Sequence, residues 1–146
     1  MQEIEIVNTL PPIYDLAHEH FEIDDTCTVY TYGNKLHNPA KLILTEEIIE
    51  HEKVHMQRQL QMEGGPKEWW DRYCKEAHFR FDEEANAYGR QLACYTLKNR
   101  DRNKRVRYLW QLASILCSPM YKFEEMAHSE ARMAIEHYEQ EHLKNY

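Results

Sequence analysis

Hydrophobic and polar positions divide the chain into a short β-rich part and a longer helical part. Residues 3–7 alternate between the two types, and residues 27–32 and 41–45 are rich in β-branched, aliphatic or aromatic side chains, so all three segments predict strands. The glycine, asparagine and proline of residues 33–40 predict a turn. We therefore expect a β-hairpin with a long loop, preceded by a helix that begins near the two prolines at positions 11–12.

From Thr45 onward the sequence predicts helices. Thr45 is a good N-cap and is followed by two acids, which the positive end of the helix dipole favours, and this helix should end before Gly64. Further helices are expected at about 66–77, 82–98, 104–117 and 124–143, with a break near residues 78–81. The prediction is an α+β fold in one domain, residues 1–146, with a short N-terminal antiparallel sheet followed by four or five helices.

Charge and composition exclude several classes of protein. The net charge of −7, from 25 acids and 18 bases, argues against a general nucleic-acid binder. No segment approaches the ~20 apolar residues that a membrane span needs, and the N-terminus lacks the features of a signal peptide. The four cysteines form no C-x-x-C pair and suggest free thiols. We expect a soluble protein that stays in the cytoplasm.

Residues 51–55 read HEKVH and match the H-E-x-x-H motif. Residues four apart lie on one face of a helix, so His51 and His55 can bind the same metal ion. Glu52 lies beside them and can reach a water without being a ligand. Zinc would lower the pKa of that water, and the carboxylate of Glu52 would take its proton during attack on a carbonyl.

The helical phase supports this interpretation over a chance match. At about 100° per residue, the motif shares one side of its helix with mostly apolar residues. These are Ile48, Ile49, Met56, Gln59, Leu60 and Met62. A buried ionisable cluster requires partners, and a metal would supply them. The alternative is a pair of structural histidines.

Zinc with one open position needs a third protein ligand. Gln61 stands where the metzincin pattern has histidine, which excludes that class. Candidate acids are Glu63, Glu68, Glu76, Asp82, Glu83 and Glu84. Helical periodicity places Glu84 on an apolar face and Glu83 on a polar face, so Glu84 is the preferred ligand. The alternative is that Glu84 is an N-terminal acid that complements the helix dipole.

At this point the sequence resembles the minimal gluzincins, whose pattern is HExxH followed by E-x-x-A-[Y/D/N] on the next core helix. Here the second part is the E-A-N-A-Y of residues 84–88. The details are most similar to small metallopeptidases of bacteriophages and bacteria. Shared features over about residues 30–125 are a YG…NP turn at 32–39, MQRQ at 56–59, W-x-x-Y at 70–73 and SPMY at 118–121.

The resemblance implies a zincin-like core in which His51, His55 and Glu84 bind Zn²⁺ and Glu52 is the general base. A shifted register would place Asp82 in the position of the ligand acid. A zincin also needs a donor to the developing oxyanion. Tyr88 is our candidate because it shares the face of Glu84, and Tyr73 and His78 are alternatives nearby in the sequence.

We therefore predict a zinc-dependent peptidase that acts on a peptide or protein substrate, in the host cytoplasm if it is phage-encoded. Substrates are expected to lie along the edge strand of the hairpin, at residues 27–32 or 41–45. The alternative is a non-catalytic phage accessory protein with a structural or vestigial zinc site. A third possibility is a nucleic-acid accessory protein that uses the basic segment 99–107, but the overall acidity argues against it.

Overall fold

The computed structural model describes residues 3–146, which form a three-stranded sheet and six α-helices. The strands are β1 (Glu5–Val7), β2 (Tyr30–Tyr32) and β3 (Lys35–His37). The helices are α1 (Tyr14–His20), α2 (Glu46–Gln61), α3 (Gly65–Lys75), α4 (Ala77–Lys98), α5 (Arg102–Leu116) and α6 (His128–Lys144), and a 3₁₀ turn spans Pro119–Tyr121. The predicted α+β fold class is confirmed. Within residues 3–146, the structure contains no helix with the length and apolarity of a membrane span.

The sheet has shorter strands than the sequence predicts, and its strands are paired differently. Its strand order is β1-β3-β2, and it is mixed because β1 runs parallel to β3 while β2 runs antiparallel to it. The hairpin turn contains two residues, Gly33 and Asn34, and Gly33 has the positive φ of +60° that glycine adopts readily. The expected long loop and the wholly antiparallel sheet were therefore wrong.

The strand predicted at residues 41–45 is also absent from the described structure. The side chain of Asn38 explains the difference. Its amide group donates a hydrogen bond to the carbonyl of Leu42, and its carbonyl oxygen accepts one from the N–H of Leu42. Lys41 adopts a left-handed backbone with φ 55°. These local bonds form a compact turn in place of a ladder.

The predicted break at residues 78–81 is wrong, since α4 begins at Ala77 and continues for 22 residues. Only Glu76 separates α3 from α4. The first turn of α4 is held by the buried Arg80, whose Nε donates to the carbonyl of Tyr121 at 2.8 Å and whose Nη1 donates to the carbonyl of Tyr73 at 2.6 Å. Charge-assisted bonds of this kind offset the cost of burying the guanidinium.

Helix α4 contributes to two apolar cores. One core joins α4 with α5 and α6, and the other joins Phe79 of α4 with α1, α3 and the sheet. Gly89 permits close packing against α6, because a Cβ at this position would lie 2.4 Å from the Cβ of Tyr138. The opposite side of α4 packs against α2. This arrangement places the HEKVH segment directly against the segment that follows Asp82.

Candidate metal centre

Three side chains from α2 and α4 meet at one buried point. Thr45 caps α2, accepting a hydrogen bond from the N–H of Ile48, and the helix directs His51 and His55 towards α4. The Nε2 atoms of both imidazoles lie 3.1 Å from the same oxygen, Oε1 of Glu84. All three side chains are 9% exposed or less, and their candidate ligand atoms lie within 4.8 Å of one another.

The second carboxylate oxygen of Glu84 is held separately. The hydroxyl of Tyr73 donates a hydrogen bond to Oε2, which leaves Oε1 directed at the two imidazoles. Burial and the negative charge of Glu84 raise the pKa of Tyr73 well above its usual range, so its hydroxyl stays protonated and can donate. Burial would raise the pKa of Glu84, but the imidazoles of His55 and His51 overcome that effect and hold it far below its usual range.

The orientation of the His51 ring is fixed by two further residues. Its Nδ1 lies 2.9 Å from Oε1 of Gln91, an atom that can only accept, so Nδ1 carries the proton and donates. The amide of Gln91 donates in turn to the hydroxyl of Tyr108 at 2.8 Å. In the neutral ring Nε2 therefore keeps its lone pair on the side of Glu84, which is the tautomer that a metal ligand requires.

The donor set fits a zinc ion. The lone pair of His51 Nε2 and the carboxylate oxygen of Glu84 are both acceptors at 3.1 Å, so a shared cation, either a proton or a metal ion, is needed between them. Burial disfavours the charged form of His55, but attraction to Glu84 outweighs it and raises the pKa of this imidazole to about 9. Two imidazole nitrogens and one carboxylate oxygen are a ligand set typical of catalytic zinc sites.

Glu52 lies at the same cavity as these three residues. The hydroxyl of Thr31 in β2 donates to its Oε2 at 2.8 Å, which fixes the carboxylate beside the imidazoles without placing it among the candidate ligand atoms. The cavity has a volume of about 360 Å³. It is lined mainly by apolar and aromatic side chains, and Lys and Arg are absent from the lining among the described residues.

The proposed oxyanion donor, Tyr88, lies beside the cluster. Its ring packs edge-on against that of His51 with centroids 4.5 Å apart, and its hydroxyl is bonded to the hydroxyl of Tyr121 at 2.7 Å. Tyr73 and Tyr121 line the cavity. The catalytic role of Tyr88 stays a prediction, and Tyr121 is a further candidate for the same role. The single hydroxyl proton of Tyr73 is already engaged by Glu84. His78, by contrast, is exposed on the first turn of α4.

The expectation that Glu83 faces solvent was wrong, because its side chain is only 3% exposed. It accepts a hydrogen bond from the indole N–H of Trp69 at 2.7 Å and forms an ion pair with Arg58 at 3.1 Å. Helix α3 lies over this face of α4, which the periodicity of α4 alone cannot reveal. Asp82, the alternative ligand, is exposed and lies outside the cluster.

The outer edge of β2 is partly covered. Gln59 accepts from the N–H of Gly33 at 2.7 Å and donates to the carbonyl of Thr31 at 2.9 Å, as a neighbouring strand would. The indole of Trp70 donates to the same carbonyl at 2.8 Å. Both donors approach from the side away from β3. Val29, which precedes β2, lines the cavity.

Comparison of the chain with protein-family models, with curated proteins and with solved structures finds no match. Membership of the minimal gluzincins therefore stays a prediction. Several supporting residues were not anticipated, namely Thr31, Gln59 and Tyr108. Gln91 was detectable in principle, because it lies two turns after Glu84 on the same helical face.

Proposed function

We propose that this protein is a zinc-dependent peptidase of the gluzincin type, acting in the cytoplasm. One observation carries the proposal: the Nε2 atoms of His51 and His55 converge on a single oxygen of Glu84 at the wall of a cavity that also contains Glu52. Zinc bound by these three residues would supply Lewis-acid chemistry, lowering the pKa of water and polarising a peptide carbonyl.

In this proposal Glu52 moves the proton. Its carboxylate accepts a proton from the attacking water and returns it to the leaving amine, which makes it general base and then general acid. The hydrogen bond from Thr31 keeps the carboxylate aimed into the cavity. Tyr73 and Gln91 do not react in this scheme, but hold Glu84 and His51 in the orientation that the ligands need.

The substrate would be an extended peptide lying beside the segment that leads into β2. Because Gln59 and Trp70 already pair with the edge at Thr31, the backbone available for pairing is that of residues 28–29, on the cavity side. The lining contains the aromatic rings of Tyr30 and Trp70 and lacks Lys and Arg among the described residues. These surroundings favour an apolar or basic substrate side chain over an acidic one.

A structural zinc site in a non-catalytic accessory protein is the second candidate function. The observation that favours it is burial: the side chains of His51, His55 and Glu84 are 9%, 6% and 6% exposed. A structural site is closed, whereas a catalytic site keeps one position accessible to water. The presence of Glu52 and the cavity beside the cluster favours the peptidase.

Replacement of Glu52 by glutamine separates the two functions. Cleavage of a peptide library is followed by mass spectrometry, beside zinc content, for wild type, Glu52→Gln and the exposed control Glu46→Gln on the same helix. We expect equal zinc in all three, chelator-sensitive cleavage by wild type and the control, and at least ~100-fold slower cleavage by Glu52→Gln. Normal cleavage by Glu52→Gln would contradict the mechanism. Zinc without any cleavage by wild type would favour the structural site.

A further inference from the structure

The basic segment 99–107 takes no part in the proposed peptidase site, and the structure divides its bases into two groups. Arg105 is used internally, because it pairs with Glu136 and with the fully buried Glu139 of α6. Lys104 and Arg107 are exposed, and among residues 3–146 neither makes an ion pair with a carboxylate.

Lys104 and Arg107 line an open cleft of about 480 Å³ between the end of α4 and the start of α5. The other lining residues are Tyr95, Asn99, Tyr108 and Gln111. Every one of the six side chains can donate a hydrogen bond, and none is a carboxylate. The one acid of the segment, Asp101, is engaged elsewhere, since its Oδ1 accepts from the N–H groups of Asn103 and Lys104.

Tyr108 connects this cleft to the candidate metal centre. Its ring stacks on that of Tyr95 with centroids 4.2 Å apart, which holds its position. Its hydroxyl oxygen accepts from Gln91, and among residues 3–146 the hydroxyl proton has no hydrogen-bond acceptor. Gln91 in turn accepts from Nδ1 of His51. Two hydrogen bonds therefore join the cleft to a predicted metal ligand.

We propose that this cleft is a binding site for a small phosphate-class anion, with Lys104 and Arg107 supplying charge and Tyr108 donating a hydrogen bond. Arginine binds phosphate oxygens with a planar fork of donors and lysine as a compact charge, which suits such a group. An anion that accepts the proton of Tyr108 strengthens the bond from Gln91 and so reaches the imidazole of His51. Binding at the cleft does not depend on the proposed peptidase activity, which makes the two proposals separable.

The test is a titration of the full-length, ¹⁵N-labelled protein with inorganic phosphate, compared with chloride at the same ionic strength. Backbone resonances of residues 99–111 report the cleft and the ring nitrogens of His51 report the metal centre. Wild type is measured beside Lys104→Gln/Arg107→Gln and Tyr108→Phe. The matched control is Arg100→Gln/Arg102→Gln, which removes two exposed charges of the same segment that do not line the cleft.

Wild type and the control should show saturable shifts with phosphate only. The Lys104/Arg107 variant should bind about tenfold more weakly or worse. Tyr108→Phe should bind at least about 3-fold more weakly and show no shift at His51.

Linear shifts equal to those with chloride, or equal losses of affinity in the two double variants, would overturn the site. Saturable binding that leaves His51 unmoved in wild type would overturn the connection through Gln91. Binding of single-stranded DNA but not of phosphate would identify a nucleic-acid surface and overturn the small-anion assignment.

Discussion

At the scale of single residues, the candidate metal centre depends on which atoms are left free by hydrogen bonding. Gln91 accepts a hydrogen bond from Nδ1–H of His51, and Tyr73 donates one to Oε2 of Glu84. The atoms that remain, Nε2 and Oε1, are the ones that face each other. The surrounding side chains therefore orient two of the three candidate ligands, His51 and Glu84.

Replacing Gln91 by leucine tests this role. The change removes the acceptor of His51 Nδ1 and leaves a buried donor without a partner, so we expect zinc affinity to fall by roughly 10- to 100-fold. Gln91→Glu retains an acceptor at the same position and should lose much less affinity. Competition titration with a zinc chelator measures both. Equal affinities for wild type and Gln91→Leu would show that the ring is oriented by other contacts.

Adjacent acids on α4 show what the sequence could predict at this scale. Helical phase placed Glu84 on the inner side, and the structure brings it to His51 and His55. The same reasoning failed for Glu83, which Trp69 of α3 covers. Periodicity gives the direction of a side chain from its own helix, whereas burial depends on which other element packs there. Nothing in the sequence indicated that the indole of Trp69 would cover Glu83.

At the scale of secondary-structure elements, Arg105 joins α5 to α6. Its guanidinium pairs with Glu139, which is fully buried and also accepts a hydrogen bond from Thr96 of α4. The basic segment thus contains one structural residue among exposed ones. A charged residue whose partner is removed from such a pair is left buried without compensation.

We expect Arg105→Met to reduce the free energy of unfolding by about 3 kcal/mol, because Glu139 loses its charged partner. Arg107→Met, at an exposed position two residues away, should change it by about 0.5 kcal/mol or less. Urea denaturation followed by circular dichroism compares the two. A small effect of Arg105→Met would show that the hydrogen bond from Thr96 stabilises Glu139 sufficiently without Arg105.

The elements themselves were predicted unevenly. Helix α2 was recognisable because Thr45 and two acids mark its start and a glycine pair marks its end. The predicted strand at residues 41–45 was wrong because side-chain composition cannot show that Asn38 holds the backbone of Leu42 in a turn by hydrogen bonds. The parallel pairing of β1 with β3 joins segments about 30 residues apart. Short strands of three residues carry too little pattern to reveal such pairing.

At the scale of the whole molecule, two buried histidines whose pKa values are lowered should each contribute less stability in mild acid than at neutral pH. Burial lowers the pKa of His37, whose Nδ1 donates to the carbonyl of Thr9 at 3.0 Å. Burial and the positive charge of Arg90 lower the pKa of His142, whose Nε2 donates to Oδ1 of Asn86 at 2.7 Å. In the unfolded chain both imidazoles take up protons as the pH falls through about 6.5.

The sign follows from linkage. A pKa that is lower in the folded state gives stability that is fully present above about pH 6.5 and is lost as the pH falls towards the folded-state value. Between pH 7.5 and 5.5 we therefore expect wild type to lose more stability than His37→Gln/His142→Gln, since both substitutions retain a donor but remove the titrating group. The raised pKa of His55 acts in the opposite direction in both proteins and cancels in the comparison. Urea titrations across this range measure the slope. Parallel slopes for the two proteins would contradict the assignment.

Zinc content is the most direct test of the central claim that His51, His55 and Glu84 form one metal site. Wild type, Glu84→Gln and the exposed neighbour Asp82→Asn are dialysed against metal-free buffer and analysed for bound metals by mass spectrometry. The account predicts about one zinc per chain in wild type and in Asp82→Asn, and little in Glu84→Gln. Absence of zinc from wild type, or undiminished zinc in Glu84→Gln, would contradict it.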